Sequence, residues 1–268
     1  MENVKARGLV LLGCGKMGSA MLKGWLAGGL PPGSVTVLDP HPSDWLRSTS
    51  VHLNTDLPKD PAIVLVAVKP QMMGDALPKL QALGNGTTLF LSVAAGITLA
   101  TYETVLGADT PVVRAMPNTP AAVGRGITAI IGNAKAGAAD LDLAEALLSA
   151  VGQVVRLEGE AQMDAVTAVS GSGPAYVFHL IEALAAAGVE QGLSPELAMQ
   201  LAKATVGGSG QLAEESDEDP AQLRVNVTSP GGTTAAALAV LMDEETGFPA
   251  LLSKAVKAAA DRSKELAG

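Results

Sequence analysis

The sequence predicts an α/β N-terminal domain with a doubly wound, mostly parallel sheet, followed by an all-α C-terminal domain. Three observations carry that expectation. As far as Glu158, short apolar runs alternate with helix-patterned segments, and such alternation implies a parallel sheet covered on both faces. Beyond Glu158 the strand signal stops and only helical patterns follow. A glycine-rich turn separates the first strand from the first helix. The boundary is expected near 158–160, with domains of 1–158 and 159–268.

Gly8-Leu9-Val10-Leu11-Leu12 is a continuous apolar run, as in a strand buried on both faces. Gly13-Cys14-Gly15-Lys16-Met17-Gly18 follows and opens a helix to about Ala27. Further strands are expected at 35–38, 63–68, 89–93, 112–114, 127–131 and 154–157. The intervening segments around 72–83, 98–107 and 138–150 are helical in pattern. Residues from about 160 to 191 read as one long helix, interrupted at Ser170-Gly171-Ser172-Gly173-Pro174. Ser194-Pro195-Glu196 starts a helix over 195–215, with a capping serine and proline at the first helical position. Glu214-Glu215-Ser216-Asp217-Glu218-Asp219-Pro220 reads as a solvated turn. Helices at about 220–226, 233–244 and 248–266 finish the chain.

The 268 residues are 48% hydrophobic, enough for a sizeable core. Aromatics are only 3%, so aliphatic side chains and Ala and Gly must do the packing. An all-helical domain so poor in aromatics needs another surface to cover it, which favours a dimer built from it. The net charge of −9 argues against nucleic acid or an anionic membrane as partner. Neither a signal-peptide pattern nor an apolar stretch long enough to span a bilayer is evident. The single cysteine, Cys14, excludes an intrachain disulfide and a cysteine-based zinc site. The expectation is a soluble cytoplasmic protein with no metal site.

Two loops carry the chemistry. In the first, Gly13-x-Gly15-x-x-Gly18 follows a strand and opens a helix, the setting for dinucleotide binding in a Rossmann domain. The first glycine makes the turn, the second lets the pyrophosphate approach, and the third lets helix and strand pack. Asp39 ends the second strand, where an acid commonly bonds the adenosine ribose 2′-OH and repels a 2′-phosphate. No arginine in Pro40-His41-Pro42-Ser43 offsets it, and Arg47 is the nearest candidate. Asp39 therefore tilts the cofactor toward NADH. Cys14 reads as a small packing residue. In the second loop, Ser229-Pro230-Gly231-Gly232-Thr233-Thr234 leads into an alanine-rich helical pattern. Free N–H groups and hydroxyls at a helix start suit a small carboxylate. A cofactor loop and an acid-binding loop together point to a reductase or dehydrogenase.

Three further stretches complete a pattern: Val66-Ala67-Val68-Lys69-Pro70, Arg114-Ala115-Met116-Pro117-Asn118-Thr119-Pro120-Ala121 and Ser170-Gly171-Ser172-Gly173-Pro174-Ala175-Tyr176. With the Ser229 loop, in this order, the set resembles pyrroline-5-carboxylate reductase over nearly the whole chain. The resemblance implies a helical C-terminal dimerisation domain, an active site completed across the dimer interface, and NAD(P)H as reductant, NADPH being common in the family. It implies that Ala67, Val68, Lys69 and Pro70, with Met116 and Asn118, lie along the nicotinamide half of the cofactor. Asn54 is implied near the adenosine ribose. Ser229, Gly232 and Thr233 are implied to hold the substrate carboxylate, and the Thr234 hydroxyl to bond the ring nitrogen. The chain departs from the family at Leu223-Arg224-Val225-Asn226, where valine replaces the usual acid, and at Asp39.

His41, His52 and His179 share no motif and read as surface or packing residues. Two other readings stay open at this stage. A β-hydroxyacid dehydrogenase needs a lysine shortly after Gly171-Ser172-Gly173, where this chain has Pro174-Ala175-Tyr176-Val177-Phe178. A non-catalytic NAD(H)-sensing dimer has no need of the Ser229 loop.

Overall fold

In the computed structural model, which describes residues 2–267, the chain starts with a helix absent from the sequence expectation, α1 (Glu2–Arg7). β1 (Leu9–Leu12) follows, buried at every position. Next come α2 (Lys16–Ala27), β2 (Val35–Leu38), α3 (Asp44–Arg47) and the two-residue β3 (His52–Leu53). After β4 (Ile63–Val66), the expected helix at 72–83 is only one α-turn, α4 (Met73–Ala76), between 3₁₀ turns at 70–72 and 77–83. Pro70 and Pro78 head those two turns, and proline cannot continue an α-helix through its position. β5 (Leu89–Ser92), α5 (Leu99–Leu106), β6 (Val112–Met116), β7 (Gly126–Gly132), α6 (Ala138–Leu148) and β8 (Gly152–Arg156) complete this part.

The strands form one sheet in the order β3-β2-β1-β4-β5-β6-β7-β8. Every pairing is parallel except β6 with β7. The direction of strand addition reverses at β1, and ligands of such sheets bind beyond the strand ends at that reversal. Leu12 pairs with Leu38 on one side and Val66 on the other. Gly13, Asp39 and Ala67 therefore leave the sheet level with one another.

Alternating strand residues feed two cores, as strand geometry requires. Leu9, Leu11, Val37 and Leu65 pack with Met21 and Trp25 of α2 and Leu147 of α6. Val10, Leu12, Val64 and Phe90 pack on the other face with Leu80 and with Tyr102 of α5. Each fully buried aliphatic or aromatic side chain contributes about 1.5–3 kcal/mol, which explains why strands this short are stable.

The segment read as one helix over 160–191 is broken into a 3₁₀ turn at 160–162, α7 (Met163–Val166), a π-helical turn (Thr167–Gly171) and α8 (Gly173–Glu190). α9 (Pro195–Glu215) is capped by Ser194, whose Oγ accepts from Leu197 N–H. α10 (Pro220–Asn226), α11 (Thr233–Leu241) and α12 (Phe248–Ala267) follow.

Contacts divide the chain into two units: residues through Gly171 with those from Ala260 onward, and Ser172–Ala259. This division falls later than 158–160 because the segment after β8 packs on the sheet: Glu160 pairs with Arg114 of β6, and Met163 and Ala168 are buried. The end of α12 also belongs to the first unit, where Ser263 Oγ donates to Asp164 Oδ1 at 2.7 Å. In the second unit the buried core is Ala185, Ala198 and Ala202, flanked by Ile181, Leu193 and Met199. Phe178, Leu201, Leu212, Val240 and Leu251 stay exposed on it. No described helix is long and apolar enough to cross a membrane.

Candidate active site

The glycine loop leaves β1 where the strand order reverses. Gly13 has φ +86°, a conformation that favours glycine. A Cβ on Gly13 would stand 2.9 Å from both Ala67 O and Val68 Cγ1, and one on Gly18 would stand 2.5 Å from Gly13 O. Around Gly15 nothing lies within 4 Å of that position. Gly13 and Gly18 thus fold the loop tightly, while Gly15 leaves open space beside the backbone. No side chain caps the start of α2, so its first N–H groups are free of side-chain acceptors and suited to an anion. Lys16 is exposed there, and Met17 packs partly buried against the core. Open space and uncapped amides fit the pyrophosphate of a dinucleotide.

Asp39 is tied into this loop. Its Oδ2 accepts from Cys14 N–H at 2.7 Å and its Oδ1 from His41 N–H at 2.8 Å. Asn54 lies beside it, with its amide bonded to the Asp39 backbone. Burial pushes the neighbouring Cys14 thiol up to about 11, and the Asp39 carboxylate adds to the rise. Such a thiol stays protonated and packs as a small apolar group.

Ala67 and Val68 close against Gly13, and Lys69, exposed, precedes the 3₁₀ turn headed by Pro70. Met116 ends β6, buried. Asn118 follows, with both ends of its amide engaged: Oδ1 accepts from Ile127 N–H at 3.0 Å and Nδ2 donates to Ser170 Oγ at 3.3 Å. The π-helical turn thereby meets the 116–118 segment, and a Cβ on Gly171 would lie 3.7 Å from Met116 Sδ. The Ser170 contact was missed from sequence, although the Ser-Gly-Ser-Gly-Pro interruption marked the place. π-turns are rare and frequent at functional sites.

In the second unit, Ser229-Pro230-Gly231-Gly232 is a turn closed by Gly232 N–H to Ser229 O at 3.0 Å. Pro230 and Gly231 (φ +68°) occupy its centre, the residues a type II turn prefers. Gly232 is the N-cap of α11 and supplies no side chain to cap it. The amides of Thr233 and Thr234 therefore open a helix start without a side-chain acceptor, with the Ser229, Thr233 and Thr234 hydroxyls carried by the same loop. Val225 is exposed on the preceding helix, α10. His52 Nε2 meets Gly33 O at 3.0 Å and His179 meets Glu182 on α8, while His41 adjoins Asp39 through its backbone N–H. Among the described residues no group of three His, Cys, Asp or Glu side chains is placed to hold a metal ion.

Residues 160–266 match the pyrroline-5-carboxylate reductase dimerisation family. Residues 8–96 match a family of NADP oxidoreductases described as coenzyme F420-dependent. The curated pyrroline-5-carboxylate reductase of Pseudomonas aeruginosa is 41% identical, over 97% of this chain and 96% of its own length. The chain belongs to the pyrroline-5-carboxylate reductase family. A pyrroline-5-carboxylate reductase structure from Coxiella burnetii superposes with a TM-score of 0.91 at 35% identity, covering 98% of this chain and 99% of that one. The Plasmodium falciparum pyrroline carboxylate reductase, solved with NADP bound, gives 0.85 at 30% identity over 98% and 99%. The members are oxidoreductases, and the Rossmann sheet and helical C-terminal region described above are their shared architecture.

Proposed function

We propose that this member of the family reduces 1-pyrroline-5-carboxylate to L-proline, the last step of proline biosynthesis, with NADH preferred over NADPH. The observation that carries the reading is the uncapped start of α11 behind the Ser229–Thr234 loop. Its free amides and hydroxyls are what a small carboxylate needs. Ser229, Gly232 and Thr233 hold that carboxylate in this reading, and the Thr234 hydroxyl bonds the ring nitrogen. Gly13, Gly15, Lys16, Met17 and Gly18 hold the pyrophosphate. The 67–70 turn, Met116 and Asn118 line the nicotinamide half, Asn118 being fixed by Ile127 and Ser170.

When bound, the reduced nicotinamide supplies the hydride for the imine carbon. The chain's own contribution is orientation. A protonated imine is already a strong electrophile, so no powerful protein acid is required. Holding the ring by its carboxylate and nitrogen supplies part of the barrier reduction, roughly 7–11 kcal/mol at most for ideal positioning. The exposed apolar side chains of the second unit support a homo-oligomer formed through these helices, a dimer or higher.

Asp39 supports the NADH preference. A carboxylate held at the end of β2 accepts from a ribose diol and repels a 2′-phosphate. Initial rates with 1-pyrroline-5-carboxylate, measured with NADH and NADPH in turn, test both parts. Turnover with NADH favoured is the expected result. Turnover with NADPH favoured overturns the role of Asp39 alone, and no turnover with either overturns the reaction.

A further inference from the structure

Asn54 follows the two-residue edge strand β3 and sits in the left-handed region, φ +53°, where asparagine is among the few residues tolerated. Its own amide N–H donates to Val37 O at 2.8 Å, which anchors it beside the end of β2. Each end of its side-chain amide makes one bond to the same neighbour. Oδ1 accepts from Asp39 N–H at 2.9 Å, and Nδ2 donates to Asp39 O at 2.8 Å. These bonds clamp both sides of the Asp39 backbone. Asp39 in turn spends one lone pair of Oδ2 on Cys14 N–H and one of Oδ1 on His41 N–H. An ionised carboxylate offers about four acceptor sites, so about two remain. They suit a pair of ribose hydroxyls and not a phosphate.

We propose that Asn54 is a positioning residue that sets the preference for NADH by clamping the Asp39 backbone. This rests on the reading that Asp39 meets the adenosine ribose. β3 pairs only Thr36 with His52 and Val37 with Leu53; its position explains how a residue fifteen places along the chain reaches Asp39. With the clamp removed, the peptide on which the carboxylate is mounted is free to turn, and the acceptors aimed at the diol lose their fixed direction.

The test is equilibrium binding by calorimetry, without substrate, of NADH and of NADPH to the wild type, Asn54→Gly, Asp39→Ser and the double variant. Glycine keeps the left-handed backbone and removes the side chain that makes the clamp. Thermal melts establish that each variant is folded. Asn54→Gly is expected to weaken NADH about tenfold, the size of one or two lost hydrogen bonds, and NADPH by less than about twofold. Asp39→Ser is expected to narrow the NADH-to-NADPH ratio at least as much, and the double variant no further. If Asp39→Ser narrows the ratio while Asn54→Gly leaves it at the wild-type value, the clamp is overturned and the Asp39 reading stands. If Asp39→Ser leaves the ratio unchanged, both are overturned. Equal weakening of the two nucleotides by Asn54→Gly also overturns the proposal, since it marks a merely structural role. Should Asn54→Gly fail to fold, Asn54→Ser takes the same measurements, with the same narrowing expected and an unchanged ratio overturning the clamp.

Discussion

Glu160 Oε1 lies 2.7 Å from Arg114 Nη1, and the same oxygen accepts the Leu99 N–H at 2.9 Å. One carboxylate thus joins the middle of β6 to the start of α5. Arg114 is only 3% exposed, and its Nε is buried without a partner. Removing the carboxylate therefore strands a buried cation, whereas removing the cation leaves a carboxylate that still sees solvent. Glu160→Ala is expected to cost about 2–4 kcal/mol, toward the low end for a broken buried pair because Glu160 is partly exposed. Arg114→Met is expected to cost less, about 1.5 kcal/mol or below, since methionine fills similar space without a charge. Urea unfolding of both variants checks this. A larger loss for Arg114→Met than for Glu160→Ala would contradict it.

The three glycines of the cofactor loop separate folding from binding. Gly18→Ala puts a Cβ 2.5 Å from Gly13 O, and backbone at that distance must move. A loss of about 1–3 kcal/mol is expected, the range for overpacking. Gly15→Ala meets nothing within 4 Å, so its melting temperature should stay within about 2 °C of wild type, as for a neutral substitution. If the pyrophosphate lies in the open space beside Gly15, affinity for NADH should fall about tenfold or more, because the new methyl group enters that space. Normal NADH binding by Gly15→Ala would remove the pyrophosphate from this loop.

Much of this part of the molecule was legible because its signals are local. The apolar run of β1, the glycine spacing and the helical pattern after it are contiguous, and they locate the loop without tertiary knowledge. What was not legible depends on distant partners or on short elements. β3 is two residues long with His52 exposed, so it has no apolar run to read. The commitment of Asn54 to Asp39 and of Asn118 to Ser170 spans 15 and 52 positions. The helix expected at 72–83 had the right apolar residues, but Pro78 carries no N–H for an α-helical bond, and the segment tightened into 3₁₀ turns. At 160–191 the glycines and proline mark an interruption, but the π-turn they accompany has no sequence period of its own.

Cys14 should be inert although it sits in the cofactor loop. Its thiol is pushed from 9.0 up to about 11, first by burial and then by the Asp39 carboxylate. At pH 8 its thiolate population is then about a hundredfold below that of an ordinary thiol of pKa 9. Iodoacetamide should label the native protein at least about a hundredfold more slowly than the urea-unfolded chain. The sign for stability follows. Between 9.0 and about 11 the folded protein keeps a proton that the unfolded chain releases, so this group makes stability fall as pH rises through that window. Cys14→Ala should flatten that part of the profile. Equal labelling of native and unfolded protein contradicts the burial argument.

Thr234 is the residue whose loss should separate orientation from folding. It is half-buried in the first turn of α11, where it caps nothing. Thr234→Ala should therefore leave the melting temperature nearly unchanged, alanine being the better helix former. If its hydroxyl orients the ring nitrogen, kcat/KM should fall about 10- to 100-fold, the range for one lost hydrogen bond in the transition state. Ser at this position keeps the hydroxyl and should recover most of the activity. An unchanged kcat/KM for Thr234→Ala would sink the proposed role.

The second unit makes the most general prediction, because its own buried core is small. Three buried alanines are a small apolar reserve for helices as long as α8 and α9. Meanwhile Leu184 and Leu201 line an open apolar groove between those helices. Burying such side chains against another copy contributes about 1.5–3 kcal/mol each, and leaving them wet contributes nothing. Folding of this unit should therefore be coupled to assembly, and the melting temperature should rise with protein concentration, by about 2–5 °C per tenfold. Leu201→Glu distinguishes the two cases. On a monomer, a half-exposed leucine changed to glutamate is nearly neutral, within about 0.5 kcal/mol. In an interface it buries an unpaired charge and should shift sedimentation toward the monomer with a lower melting temperature. A concentration-independent melt, with Leu201→Glu indistinguishable from wild type, requires another source of stability for these helices.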